Sequence, residues 1–115
     1  MFGLGGNQRI YYCPTPVNLR KSFDGLAGAV QQYINQDPAS GHLFVFFSRN
    51  KKLVKMIYYQ DGGMCLFAKR LERGQFNLPV SAAGKIELEP RELYAILSGI
   101  KPHRYYKRYS KPETG

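Results

Sequence analysis

The chain has 115 residues, of which 43% are hydrophobic. This length provides for one domain with a modest core, and this apolar content excludes a chain that is disordered by its composition. No segment approaches the ~20 apolar residues needed to span a bilayer, and the first residues lack the charge and apolar core of a secretory signal. We therefore expect a cytoplasmic protein with no membrane partner.

The formal net charge of +9 is concentrated in two parts of the chain. Residues 49–73 carry seven positive and two negative side chains, and residues 101–115 carry five and one. The remaining segments are close to neutral. Positive charge concentrated in this way indicates a surface for a polyanion or for an acidic protein, whereas evenly spread charge would indicate only solubility.

The first strand-like segment is residues 8–13, which are rich in β-forming side chains. Pro14 and Pro16 follow it and cannot donate to a β-ladder, so we expect an edge strand. Cys13 in this segment and Cys65 further along are the chain's two cysteines, and both lie in apolar runs. We expect two buried thiols rather than a disulfide.

A long helix is predicted over residues 19–34, because apolar residues recur there at helical spacing. Asn18 is the candidate N-cap. Gly25 and Gly28 weaken a helix, and we interpret them as positions that let it lie close to a sheet. The apolar face of this helix would consist of Leu19, Phe23, Leu26, Val30 and Tyr33.

Three apolar runs follow, at residues 42–47, 53–59 and 64–68. Their composition and the short polar connections between them predict three antiparallel strands. Because the runs are apolar on both sides, we expect both faces of the sheet to be covered.

The Asp61-Gly62 pair favours a two-residue type I′ turn in the second hairpin. With these two residues as the turn centres, Lys55 pairs with Ala68. If the next glycine joins the loop, Lys55 lies opposite Lys69 instead.

The C-terminal part predicts a short strand over residues 85–88 and a helix over residues 89–98. Pro90 stands at the preferred first position of this helix and Gly99 ends it. Its buried face would contain Leu93, Ile96 and Leu97.

Together these elements predict an α+β fold with a small antiparallel sheet of three to five strands. The long helix would cover one face, and the short C-terminal helix would lie at an edge or on the other face. We expect residues 1–100 to form a single domain, followed by a basic, tyrosine-rich tail at residues 101–115.

Candidate catalytic and metal-binding residues are sparse. The aspartates are Asp24, Asp37 and Asp61, and each has a local structural explanation in a helix or a turn. His42 and His103 do not have the close spacing with the cysteines that a zinc site requires. We therefore expect no catalytic residue, no metal, no cofactor and no small-molecule substrate. A metal-dependent nuclease, which would need converging carboxylates, remains an alternative.

The basic residues are the candidates for binding. Lysines at hairpin tips also prevent sheets from aggregating, which is the simpler explanation for some of them. Interleaved cations and tyrosines, however, can neutralise phosphates and stack on bases. The predicted nucleic-acid-binding residues are Arg49, Lys51, Lys52, Lys69, Arg70 and Arg73 in the first cluster, and Lys101, Arg104, Tyr105, Lys107, Arg108 and Lys111 in the tail.

Four segments of the chain resemble sequence blocks of a known family: residues 18–26, 37–46, 61–66 and 69–76. The family is the TnpB accessory protein of bacterial insertion sequences of family sixty-six, which shares only its name with the RNA-guided nucleases. The resemblance extends from about residue 8 to residue 100. The chain has Tyr59 and Leu78 at positions where the family often has tryptophan.

The resemblance implies a small, non-enzymatic protein that assists transposition, while the chemistry belongs to a separately encoded transposase. DNA and that transposase are the expected partners. Two arrangements remain open: the basic surface binds DNA directly, or the protein is an interaction module that docks on the transposase without touching DNA.

Overall fold

The computed structural model describes residues 7–78 and 86–99. The elements in these ranges are β1 (Ile10–Tyr12), α1 (Phe23–Ala29), a π-helix (Val30–Ile34), β2 (Leu43–Phe47), β3 (Leu53–Gln60), β4 (Gly63–Arg70), β5 (Glu87–Leu88) and α2 (Pro90–Leu97). Within the same ranges, no helix combines the length and the apolar character that crossing a membrane would require. The predicted basic tail at residues 101–115 lies outside the described residues.

The strands form one mixed sheet in the order β4-β3-β2-β1-β5, which confirms the predicted α+β class. Neighbouring strands are antiparallel except β1 and β2, which run parallel with Ile10 opposite Leu43. The prediction of a wholly antiparallel sheet is wrong at this pair. α1 lies between β1 and β2 in the chain, and a crossover through a helix returns the chain to the end where the first strand began.

β1 is an interior strand, and the prediction of an edge strand is therefore wrong. It pairs with β2 on one side and with β5 on the other. It ends at Tyr12, before both prolines, so neither proline interrupts the ladder. β5 confirms the short strand predicted at residues 85–88, in the part of that segment that the structure describes.

β2 is the centre of the fold, and all five of its residues are buried. Leu43, Val45 and Phe47 belong to the core that α2 covers. Phe44 and Phe46 belong to a second core, on the opposite face, which α1 and the π-helix cover. The predicted cover on both faces is confirmed, and the short C-terminal helix occupies the second face rather than an edge.

The N-terminal helix begins later than predicted, with Ser22 as its N-cap residue. Residues 18–21 form a turn instead, in which the Arg20 backbone N–H donates to Asn18 Oδ1 at 3.0 Å. A hydrogen bond from the local backbone to an asparagine side chain stabilises a turn in competition with the helix. This turn explains why the helix begins late. Leu19 is buried, but it reaches the core from this turn.

The apolar face of this helix also differs from the prediction. Phe23 is 41% exposed and Tyr33 is 42% exposed, whereas Ile34 is 3% exposed. The prediction assumed α-helical spacing throughout, but residues 30–34 are π-helical and have more residues per turn. The wider turn places Ile34, rather than Tyr33, on the buried face of the helix. Asn35, at φ 61°, ends the helix before Asp37.

α2 follows the prediction closely. Pro90 is its first residue and Gly99, at φ 81°, follows its C-cap. Leu93 and Ile96 are buried against the sheet, and Leu97 is half-buried. The start of the helix is further fixed by a capping box between Glu89 and Glu92, the residues on either side of its first turn.

The second hairpin has the register that the two-residue turn predicts. Asp61 and Gly62 have φ values of 51° and 82°, as a type I′ turn requires. Lys55 therefore lies opposite Ala68, and the alternative pairing with Lys69 does not occur.

Candidate nucleic-acid interface

The connection between β2 and β3 is a tight turn stabilised by two polar side chains. Ser48 Oγ donates to Asn50 Oδ1 at 2.7 Å and accepts from the Leu53 backbone N–H at 3.1 Å. Asn50 Oδ1 also accepts from the Lys52 backbone N–H at 3.0 Å. These bonds hold the turn in shape. The side chains of Arg49 and Lys51, which it presents, are exposed to solvent.

The segment after β4 packs against this turn. The Leu71 N–H donates to the Lys52 carbonyl at 2.8 Å, and the Phe76 N–H donates to the Lys51 carbonyl at 2.7 Å. The Phe76 side chain is buried, with its ring centroid 5.6 Å from that of Phe47. This anchoring holds the exposed Arg73, which lies between the two contacts in sequence, beside the turn.

The turn at residues 18–21 reaches the same end of the sheet from the α1 side. Lys55 Nζ donates to the Lys21 carbonyl at 3.2 Å, which joins this turn to β3. Arg20 is exposed on the turn. We call the end of the sheet formed by residues 18–21, 48–52 and 70–76 the turn end.

Two adjoining grooves open at the turn end, and we call them the cationic grooves. The first has a volume of about 680 Å³ and the second about 560 Å³. They share Asn18, Leu19, Arg20 and Ser48 as lining residues. Arg49 completes the cationic lining of the first groove, and Lys55 and Arg70 complete that of the second.

The electrostatics of the cationic grooves favour an anion. None of the described residues that line them is Asp or Glu. In the described ranges, Arg20, Arg49 and Arg70 form no ion pair, so their charges are available to a ligand. Guanidinium groups in a concave surface suit the oxygens of a phosphodiester, because the fork of donors matches phosphate geometry and the shape concentrates the field.

Of the six basic residues predicted in the first cluster, Arg49 and Arg70 line the cationic grooves. Arg49, Lys51, Lys52, Arg70 and Arg73 all lie at the turn end. Lys69 points to the opposite face of β4 from Arg70, because successive strand residues alternate between faces. Its ammonium donates to the Leu97 carbonyl at the end of α2, at 2.9 Å. The predicted tail residues, namely Lys101, Arg104, Tyr105, Lys107, Arg108 and Lys111, lie outside the described residues.

Two cations of the grooves were missed by the sequence-based prediction. Arg20 is separated in sequence from the basic cluster, and no local pattern indicates that its turn folds onto the sheet end. Lys55 could have been found, because the predicted hairpin register places it on the same face as Arg70. Phe46 on β2 lies directly opposite Lys55 and therefore on the same face of the sheet.

The candidate catalytic residues are dispersed over the fold. Asp24 lies in α1, Asp61 forms the hairpin turn, and Asp37 Oδ1 accepts from the Ala39 N–H in the turn before β2. His42 Nδ1 accepts from the Arg9 backbone N–H at 3.0 Å. Among the described residues, no three acidic, histidine or cysteine side chains form a group that could hold a metal ion.

Both cysteines are free thiols, but only one is fully buried. Cys13 is buried, and its Sγ donates to the Thr15 carbonyl at 3.2 Å. Burial raises the pKa of the Cys13 thiol, so it stays protonated near neutral pH and is a weak nucleophile. Cys65 is half-buried on β4, which corrects the prediction that both thiols would be buried.

Comparisons with known proteins identify related sequences. A family model described as IS66 Orf2 like protein matches residues 8–107. Uncharacterized protein y4hO of Sinorhizobium fredii is 39% identical over 100 residues, which cover 87% of each chain. Uncharacterized protein y4jC of the same organism is 30% identical over 114 residues, covering 99% of this chain and 97% of the relative. No solved structure matches the chain.

Proposed function

Because this chain belongs to the IS66 Orf2-like family, whose members are associated with insertion-sequence transposition, we propose that it is a non-enzymatic accessory protein that binds DNA in the cytoplasm. Its partners would be the DNA of the element and the separately encoded transposase. The observation that carries the proposal is the pair of cationic grooves at the turn end. Their cationic residues are Arg20, Arg49, Lys55 and Arg70, and none of the described lining residues is Asp or Glu.

The cationic grooves support contact with the DNA backbone. Arg20 lines both grooves, so a strand lying across the shared wall would meet cations on either side of it. Phosphate contacts of this kind fix position and contribute affinity, but they carry no sequence information. The proposal therefore includes binding at the turn end that is similar for transposon-end and unrelated duplexes, with recognition of the element depending on the transposase.

The test is fluorescence anisotropy with both duplexes over a salt series. In the wild type, log affinity should fall linearly with log salt, by about 0.9 for each phosphate neutralised. The double variant Arg20→Ala, Arg70→Ala should bind more weakly and should show a slope shallower by up to about 1.8, because it neutralises two fewer phosphates.

A matched control removes two arginines from the opposite end of the sheet. Arg9 pairs with Glu87 at 3.0 Å, and Arg91 pairs with Glu89 at 3.1 Å. Both pairs are exposed, so the variant Arg9→Ala, Arg91→Ala lowers the net charge equally at little cost in stability. Equal losses in the two double variants would show that binding follows net charge alone and would refute the groove as the site.

Docking on the transposase without DNA contact is the competing outcome. A pull-down with purified transposase, repeated after nuclease treatment, separates the two arrangements. A complex that survives nuclease, in a protein that binds neither duplex at low salt, would replace the DNA-binding proposal with the interaction module.

A further inference from the structure

β4 is an edge strand without the usual features that protect an edge. It contributes eight consecutive residue pairs with β3, so the ladder contains no bulge. It has no proline, and its charged residues, Lys69 and Arg70, are confined to its C-terminal end. The other edge strand, β5, has only two residues. Natural proteins usually shorten, bend or charge an exposed edge, because its free N–H and C=O groups can pair with another chain.

The hairpin register shows which backbone groups of β4 point away from β3. In a two-residue hairpin the residues flanking the turn form a hydrogen-bonded pair, here Gln60 and Gly63, and bonded pairs alternate from there. The even-numbered residues of β4 therefore direct their N–H and C=O outward. They are Met64, Leu66, Ala68 and Arg70. In the described ranges, no strand pairs with this side of β4.

We propose that the outer edge of β4 pairs with β4 of a second copy of this chain, antiparallel and about a two-fold axis perpendicular to the sheet. The axis would pass between the two Phe67 residues. Met64 would then pair with Arg70 of the copy, and Leu66 with Ala68. Every outward-facing residue of the strand finds a bonding partner in this register.

Two features select a second copy in this orientation. A two-fold axis perpendicular to the sheet keeps side chains on their own faces, so Phe67, which packs against the core on the α2 face, would lie beside Phe67 of the copy. The charge distribution excludes parallel pairing, which would place Lys69 and Arg70 beside the same residues of the copy. Antiparallel pairing separates these cations and directs each cationic end toward the turn of the copy that carries Asp61.

The junction is a strand edge and not a broad surface, so the dimer should form reversibly at micromolar concentrations. The proposal does not rest on DNA binding, although Arg70 of the junction also lines the second cationic groove. In the dimer, the two sets of cationic grooves would lie at opposite ends of the doubled sheet, on the face that α1 and its copy cover.

Two measurements on the 115-residue chain test the proposal. Sedimentation velocity should show a shift from monomer to dimer between low and high micromolar concentration. Hydrogen exchange should show that the N–H groups of Met64, Leu66, Ala68 and Arg70 become protected as concentration rises. The alternate residues, such as Cys65, should be protected at all concentrations, because they bond to β3.

The variant Ala68→Pro removes one outward donor while leaving the bonds to β3 in place, and proline is tolerated on such an edge. Ala68 is exposed, so the substitution removes little packing. The dimer should weaken at least tenfold, whereas the matched control Ala68→Thr keeps the donor and should dimerise as the wild type does.

A monomer throughout, with outward N–H groups unprotected at every concentration, would overturn the proposal. Protection that appears only when transposase is added would assign the edge to that partner instead. Because hydrogen exchange uses the wild type, the result does not depend on whether Ala68→Pro folds.

Discussion

Adjacent basic residues of β4 serve different parts of the molecule. Arg70 lines a groove on the α1 face, whereas Lys69 donates to the Leu97 carbonyl of α2 on the opposite face. Alternation along a strand separates them by the thickness of the sheet, although they are neighbours in sequence. A cation near the C-terminus of a helix also complements the helix dipole, so Lys69 stabilises the fold.

The two glycines of α1 also differ, and Gly28 does not lie close to the sheet as the sequence suggested. A Cβ on Gly28 would have no atom within 4 Å, whereas a Cβ on Gly25 would lie 2.7 Å from Lys21 Cβ. Gly28→Ala should therefore stabilise the protein by about 0.5–1 kcal/mol, the usual cost of glycine in a helix. Urea denaturation measures this.

Gly25→Ala is the matched comparison in the same helix. Its helix-propensity gain is offset because the backbone near Lys21 must move to accept the methyl group. We expect no gain in stability, or a loss. Equal stabilisation by both substitutions would contradict this account of the contact at Gly25.

The two helices differ in how strongly their own sequences define their ends. α2 is fixed by its own sequence, through Pro90 at its start, the capping box and Gly99 after its end. α1 has no side-chain cap bond and continues into a π-helix, so its form depends on packing against the sheet. The prediction succeeded for the element with strong termini and failed in detail for the other.

The capping box of α2 provides a test at this scale. Glu92 Oε1 accepts from the Glu89 backbone N–H at 2.7 Å. Glu92→Ala removes this acceptor and should cost about 1 kcal/mol of unfolding free energy. Glu92→Gln keeps an acceptor at the same place and should cost less, as measured by urea denaturation. An equal loss of unfolding free energy in both variants would show that the charge of the Glu92 carboxylate, and not its acceptor oxygen, stabilises the helix.

At the scale of the whole fold, the two cores lie on opposite faces of one sheet, and among the described residues no helix or strand covers the strand ends or the outer edge of β4. α1 and the π-helix cover one face and α2 covers the other. The polar connections of the turn end therefore carry the cationic grooves, and these grooves draw on residues from three separate segments of the chain.

The basic residues at 101–115 remain a sequence-based prediction. Deleting residues 102–115 should change the thermal midpoint by only a few degrees while weakening DNA binding and flattening its salt dependence, by about 0.9 for each phosphate that the shortened chain no longer neutralises. Thermal denaturation and anisotropy measure the two effects. A large loss of stability with unchanged binding per folded molecule would show that the tyrosines of this segment belong to the core.

The sequence alone determined the class of the fold, the second hairpin and α2, because these depend on local preferences: apolar runs, the positive φ values at Asp61 and Gly62, and strong helix termini. It also indicated Arg49 and Arg70, two of the four cations that line the grooves. Only the tertiary structure decided that β1 pairs in parallel with β2 and that Arg20 lines the same groove as Arg70. It also decided that the Lys69 ammonium donates to the Leu97 carbonyl at the end of α2. These outcomes depend on contacts between residues far apart in the chain, which burial of the two cores selects and no local pattern encodes.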